Sequence, residues 1–336
     1  IQINHHLAHA ASTYYTSNFK ESAILIVDGQ GSDLETTTYY HGVKNKITKI
    51  ETYREYGIGS AYSEVTKRIL NLGVGGEGKT MGLAPYGEKY KGKIKIKFKL
   101  DGIKTDFSQF MKRQPFSDVL NQVDKKYISN VIKEKHKLCK NKNHLNPYFS
   151  GIAYDIQNAS EKIMVHLGKD IQKKIKSENL CLAGGVALNS VANKKLYDAA
   201  NFKKIFVFPA CSDAGIPFGL ALWGAVNKYC KNKKFKINFD NAYTGKNYSN
   251  LEINNLLKKF KIKSKKSEDD EVASLLSKGK IFGRLSEASE YGPRALGNRS
   301  ILADPRNVKM RDYINEKVKH REVFRPFAPS ILEDEY

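Results

Sequence analysis

Apolar positions recur at helical spacing in GIAYDIQNASEKIMVHLGKDIQKKIKS, where Ile152, Ile156, Ala159, Ile163, Leu167, Ile171 and Ile175 fall on one stripe. Residues three and four apart share a helix face, so the pattern predicts a long amphipathic helix. SAYSEVTKRILNLG predicts a shorter one, with Ala61, Val65, Ile69 and Leu72 inward, Ser60 as its cap and Gly73 as its end. Strand patterns are briefer. IQIN reads as a strand at the start of the chain, and the run Ala23–Val27 breaks at Asp28-Gly29-Gln30-Gly31 before TTTYYHG, which predicts a hairpin with a tight glycine turn.

Two strand, glycine-turn, helix units follow the long helix, NLCLAGGVALNSVANKKL and KKIFVFPACSDAGIPFGLALWGAV. Such alternation implies an α/β fold, a sheet covered by helices with ligands at the carboxyl ends of its strands. A Lys-rich, weakly patterned stretch at about 88–150 reads as a peripheral helical insertion, and the polar run at 231–245 as a linker. The expected organisation is therefore a first domain over 1–230 and a second beginning at 246. The second opens with helices at LEINNLLKKFK and EVASLLSKG, a strand at KIFGRL and an Arg-dense segment.

Composition narrows the function classes. At 336 residues and 40% hydrophobic the chain can bury two moderate cores. No apolar run reaches the roughly 18 residues that span a bilayer. Cys139, Cys181, Cys211 and Cys230 lack paired spacing and read as reduced thiols, so a cytoplasmic location is expected. The net charge of +22 invites a nucleic-acid partner. Its lysines, however, are dispersed, as in KYKGKIKIKFK, without interleaved aromatic platforms, which describes a solvated surface rather than a binding face.

Candidate chemistry begins at HHLAHA. His5 and His9 lie four apart and can converge on one point, the arrangement by which helices present imidazoles to zinc, iron or manganese, while His6 points elsewhere. Packed histidines satisfied by neighbours explain the same pair unless a third ligand joins them. Asp213 in SDAG, after the strand IFVF, could be that ligand or a helix cap. Gly73 to Thr80 fits the phosphate-loop pattern G-x-x-x-x-G-K-[ST], with Lys79 as its lysine. A helical pattern precedes it and Pro85 follows, against the strand-loop-helix context of a true phosphate loop. Asp28, Gly29 and Gly31 could line phosphates or simply turn a hairpin, and Gly184, Gly185 and Asn189 could admit a nucleotide or serve strand-helix packing. Arg294, Arg299, Arg306, Arg321 and Arg325 sit among Gly and Pro, which favours an anion site because rigid turns pre-set guanidinium geometry.

Taken together, HHLAHA, DGQG, GEGKTMGLAPYG, LAGGVALN, SDAG, GPRALGNRSILADPR and REVFRPFAPSIL resemble the O-carbamoyltransferase family, which includes the nodulation-factor, cephalosporin and tobramycin enzymes. The resemblance implies an actin-like ATPase domain followed by part of a smaller α/β domain similar to the threonylcarbamoyl-adenylate synthase fold. It further implies that ATP, with Mg²⁺, and carbamoyl phosphate give a carbamoyl-adenylate, whose carbamoyl group passes to a hydroxyl acceptor. By the same resemblance His5, His9 and Asp213 are catalytic and hold a divalent metal, expected to be Fe²⁺. Asp28, Gly29, Gly31, Lys79, Gly184, Gly185 and Asn189 meet the nucleotide, and Arg294, Arg299 and Arg325 receive carbamoyl phosphate.

The expected partners are these small molecules, with neither a membrane nor a nucleic acid, and a homodimer is left open. Where the family shows Gly-Arg before E-x-G-P-R, this chain has Glu287-Ala288, so one anion contact is expected to be missing or taken by Arg284. The family's N-terminal segment and the end of its second module are not recognised, so a fragment is expected. Two alternatives stand beside this reading: a tRNA threonylcarbamoyladenosine-type transferase and a non-catalytic nucleic-acid-binding protein.

Overall fold

The structure, a computed structural model, describes residues 2–54, 57–90, 145–229, 237, 239–265 and 267–335. Most of the expected insertion, part of the expected linker, Cys139 and Cys230 lie outside the described residues. The chain forms two compact units, Ile1–Phe239 and Asp240–Tyr336.

The first unit is α/β. Its sheet runs in the order β3-β2-β1-β4-β5, built from β1 (Glu21–Val27), β2 (Glu35–Val43), β3 (Lys46–Arg54), β4 (Asn179–Ala183) and β5 (Lys204–Val207). The first three strands are antiparallel neighbours, whereas β4 lies parallel to both β1 and β5. Residues Ser22 to Val27 of β1 are all buried, and this explains the unbroken apolar run, since a central strand covered on both faces has no polar side to show. The hairpin exists, but residues 28–34 connect β1 to β2 in place of the tight glycine turn expected.

Helix α1 (His5–Tyr14) begins where a strand was expected. Residues 2–4 form no strand; the Asn4 side chain instead accepts the Leu7 N–H at 3.1 Å and caps the helix. Its ring-bearing face meets β2, with His6 Nδ1 at 2.8 Å from Thr38 Oγ1 and the Tyr14 ring against Gly42. Next come α2 (Ile58–Glu64), α3 (Glu77–Leu83) and α4 (Pro147–Ile175). Tyr39, of opposite parity to Thr38 and Gly42, carries Lys174 of α4 over its ring. Because strand side chains alternate between faces, α1 and α4 therefore cover opposite sides of the sheet. Every predicted stripe residue of α4 from Ile152 to Ile171 is at most 3% exposed, and Ile175 is half-buried.

Helix α2 starts two residues ahead of Ser60, its cap being Gly57 with no side-chain bond. Ser60 is thus not the cap; its hydroxyl donates to the Gly29 carbonyl, where it fastens the loop after β1. The glycine-rich segment Gly73–Thr80 follows the helical turns of α2 and Val65–Ile69 and opens only the seven-residue α3, the wrong setting for a phosphate loop. Beyond β4 and β5 lie α5 (Ser190–Ala199) and α6 (Ile216–Gly224).

In the second unit, α7 (Asn250–Lys259) opens with a reciprocal cap between Ser249 and Glu252. It is followed by α8 (Asp269–Ser277), the antiparallel pair β6 (Phe282–Leu285) and β7 (Arg299–Leu302), and α9 (Lys309–Tyr313). Among the described residues no helix is long and apolar enough to cross a membrane.

Candidate metal centre

The two imidazoles converge as their spacing predicts, and two carboxylates meet them. His5 Nε2 lies 3.0 Å and His9 Nε2 3.2 Å from Asp28 Oδ2. Asp213 Oδ1 stands 3.4 Å from His5 Nε2 and 3.5 Å from His9 Nε2. One ligand atom from each of the four residues falls within 4.8 Å of every other. Asp28, expected to line phosphates and to hold a cation bridging their oxygens but not to join the histidines, stands among the imidazoles. Its position at the carboxyl end of the central strand is the signal that could have revealed this.

Backbone geometry holds these groups in place. The second oxygen of Asp28, Oδ1, accepts the Gly29 N–H at 2.8 Å and the Gly185 N–H at 3.0 Å, leaving Oδ2 for the imidazoles. Gly184 adopts φ +92°, and a Cβ there would fall 2.2 Å from the Val27 carbonyl, so only glycine lets the end of β4 pass this close to β1. Asp213 begins the turn into α6, which lies against α1; a Cβ on Gly219 would meet the Ala8 carbonyl at 2.0 Å. This close packing sets the distance between Asp213 and the histidines.

Electrostatics tighten the cluster. Burial opposes a charge on His9, yet the Asp213 and Asp28 carboxylates outweigh it and raise its pKa. Burial likewise works to raise Asp28, but the His5 and His9 hydrogen bonds and the Gly185 amide hold it far below the usual carboxylate range. Asp213 is lowered, first by its bond with His9. Two carboxylates facing two imidazoles satisfy one another with protons only in part, and a divalent cation supplies the positive charge both carboxylates seek. The N₂O₂ donor set suits iron, manganese or zinc. His9 is fully enclosed while the Asp213 side chain is 77% exposed, so the cluster is closed on one side and open on the other. The residues therefore fit the group.

The remaining predicted residues are less uniform. The Gly29 and Gly185 amides serve Asp28, and a Cβ on Gly31 would press on the Glu35 side chain. Asn189 caps α5 by accepting from Ala192, and exchanges two hydrogen bonds with Gln157, which in turn bonds Tyr62 and Glu161. Spacing does not reveal this buried polar chain on α4, because Gln157 and Glu161 sit within an otherwise ordinary helical pattern. Lys79 is half-buried on α3.

In the second unit the three arginines do different things. Arg294 is exposed in the loop before β7. Arg299 spends Nη1 on the Ser286 and Asn298 carbonyls and Nη2 on that of Glu287. Arg325 pairs with Glu322 at 3.7 Å. Arg284, suggested as a substitute anion contact, is exposed on β6.

An α/β domain with this donor cluster at the carboxyl end of its sheet, followed by a separate Arg-rich unit, has recognisable relatives. Residues 1–222 match the model described as carbamoyltransferase N-terminus, and residues 273–336 match carbamoyltransferase C-terminus. Nodulation protein NolO of Bradyrhizobium diazoefficiens is 33% identical over 99% of this chain and 59% of its own. A protein of Synechocystis, sll1178, is 37% identical over 98% of this chain and 54% of its own. Among solved structures, HypF of T. kodakarensis is similar with a TM-score of 0.40 and 15% identity, covering 68% of this chain and 37% of that one. The chain belongs to the carbamoyltransferase family. It spans little more than half the length of the curated relatives it matches.

Proposed function

We propose that this chain carries the metal-dependent centre of an ATP-dependent O-carbamoyltransferase. In this reading ATP and carbamoyl phosphate yield carbamoyl-adenylate, pyrophosphate and phosphate with uptake of water, and the carbamoyl group then passes to a hydroxyl of a small-molecule or sugar acceptor with release of AMP. The observation that carries the reading is the convergence of His5, His9, Asp28 and Asp213 beside the glycines Gly29, Gly184 and Gly185.

His5, His9, Asp28 and Asp213 would hold the ion, Fe²⁺ in the first instance. When bound, the ion supplies Lewis acidity toward the adenylate and lowers the pKa of the acceptor hydroxyl. The chain's own residues do the rest. The amides of Gly29 and Gly185 fix Asp28, the glycine at 184 keeps the ends of β1 and β4 free of side chains, and the exposed flank at Asp213 admits the substrate. The Arg-rich second unit offsets phosphate charge. Matches to both carbamoyltransferase models support this division of labour.

The test is incubation of full-length protein with ATP, carbamoyl phosphate and Fe²⁺, with pyrophosphate as the readout. Pyrophosphate release that depends on carbamoyl phosphate is expected. Release only when tRNA and threonine are supplied would replace this reading with a tRNA-modifying one.

A further inference from the structure

The Asn4 side chain works in two directions. Its Oδ1 accepts the Leu7 N–H at 3.1 Å and caps α1, the duty its place ahead of the helix explains. Its Nδ2 reaches across to the loop between β1 and β2, where it donates to Asp33 Oδ2 at 2.8 Å and Glu35 Oε1 at 2.8 Å, with Ser32 Oγ at 3.4 Å. An amide nitrogen carries two hydrogens, and each carboxylate takes one. Capping alone does not call for this second set of contacts.

The loop is folded around that contact. Glu35 is 1% exposed; its Oε2 accepts the Asp33 N–H at 2.6 Å and its carbonyl accepts the Gly31 N–H at 2.7 Å. Burial works against a charge on Glu35, but its own amide, Asn4, His6 and the Asp33 amide outweigh it and lower its pKa. Leu34, between the two acids, holds φ +62°, a left-handed value that a residue with a Cβ keeps only where its surroundings over-determine it. Ser32 Oγ in turn accepts the His5 N–H at 3.2 Å. One end of this clasp leads directly into the helix bearing His5 and His9, and the other closes the loop that begins at Asp28. Asn4 therefore joins the two chain segments whose side chains meet at 3.0 Å, His5 Nε2 to Asp28 Oδ2.

We propose that Asn4 is a positioning residue of the metal centre: its side-chain amide clamps the loop at 32–35 to the start of α1 and so presets the His5 and Asp28 donors for a divalent cation. The residue type follows from this role. Serine, aspartate and asparagine cap helices about equally well. Serine is too short to hold both acids, and aspartate would set a third carboxylate against Asp33 and Glu35. The proposal rests on the four donors being a metal centre, and not on the carbamoyl chemistry assigned to it.

Equilibrium titration of the full chain with Co²⁺ tests it, the visible d–d absorption of the bound ion reporting the geometry of its donors. Asn4→Ser and Asn4→Asp keep the cap and lose the clasp. Each is expected to bind Co²⁺ about tenfold or more weakly and with an altered absorption band, the scale on which partners that orient metal ligands act. The unfolding midpoint of each metal-free variant is measured alongside. Asp33→Ala removes half of the clasp from the exposed side of the loop and leaves Asn4 and the cap in place; it is expected to weaken Co²⁺ binding while the metal-free midpoint stays near that of the wild type. Should the Asn4 variants fail to fold, Asp33→Ala decides.

Folded variants that match the wild type in Co²⁺ affinity and absorption would overturn the proposal, make Asn4 a helix cap and nothing more, and leave the centre standing. Wild-type protein that binds no Co²⁺ would remove the centre and the proposal together. If the variants lose Co²⁺ while the wild type releases no pyrophosphate from ATP and carbamoyl phosphate, Asn4 keeps its role and the carbamoyl reading falls.

Discussion

His9 and Asp28, nineteen residues apart, place Nε2 and Oδ2 at 3.2 Å with both side chains shielded from solvent. His9→Ala removes one donor of four and Asp28→Asn removes the charge while keeping the shape. Each is expected to lower affinity for Fe²⁺, Mn²⁺ or Zn²⁺ by more than about tenfold, since even residues that only orient ligands are worth that much. Metal content after gel filtration and equilibrium titration check this. Undiminished metal in His9→Ala would make the histidines packing residues.

Gly219 should be irreplaceable for the same centre. A Cβ at this position falls 2.0 Å from the Ala8 carbonyl, a backbone atom that cannot swing aside. Gly219→Ala is expected to cost about 1–3 kcal/mol in a denaturant titration by forcing α6 from α1. Since Asp213 leads into α6, metal affinity should fall with it; a variant equally stable and equally metal-rich would contradict the close packing.

Glu287 offers a stabilising change. It holds φ +41°, a left-handed value that costs a residue with a Cβ about 1–2 kcal/mol. Glycine relieves that strain and loses about 0.5–1 kcal/mol of unfolded-state entropy, so Glu287→Gly should raise stability by a net few tenths to about 1 kcal/mol, read as a higher unfolding midpoint. Glu287→Ala, which keeps the Cβ, should show no comparable gain.

Glu290 governs the neighbouring loop through pH. Its Oε1 accepts the N–H groups of Leu296 at 2.9 Å, Asn298 at 2.9 Å and Arg299 at 3.1 Å. These amides, Leu296 first, hold the carboxyl at about 2, below its ordinary 4.5, against burial. A depressed carboxyl adds stability that is complete above the unfolded value and is lost as pH falls through the folded one. Hydrogen exchange at Leu296 and Asn298 should therefore accelerate between about pH 4.5 and 2, beyond the intrinsic pH dependence of free amides, and Glu290→Gln should flatten that excess. Protection that is insensitive to pH across this window in the wild type would refute the pinning role.

What the sequence discloses follows from how local each signal is. The stripe Ile152 to Ile171 repeats over many turns of α4, and β1 declares itself by an unbroken apolar run, so both are legible. His5 and His9 need only helical spacing. The part of Asp28 in the cluster is hidden because a carboxylate beside glycines looks like a turn until β1 is seen to end beneath α1. Short polar stretches mislead in the same way: Asn4 caps a helix where the pattern suggests a strand, and Ser60 tethers a loop where the pattern suggests a cap. The guanidinium of Arg299 satisfies carbonyls across a loop, a long-range use that no spacing in GPRALGNRS reveals.

The donors of the cluster also enter the chain in an unequal order. Two imidazoles and one acid are in place by residue 28, but the last oxygen arrives at residue 213, after β5 has docked beside β4. Because closing so long a loop is slow, an ion held by all four donors would report a finished domain and stabilise it by mass action, so added metal is expected to raise the unfolding midpoint of the complete domain.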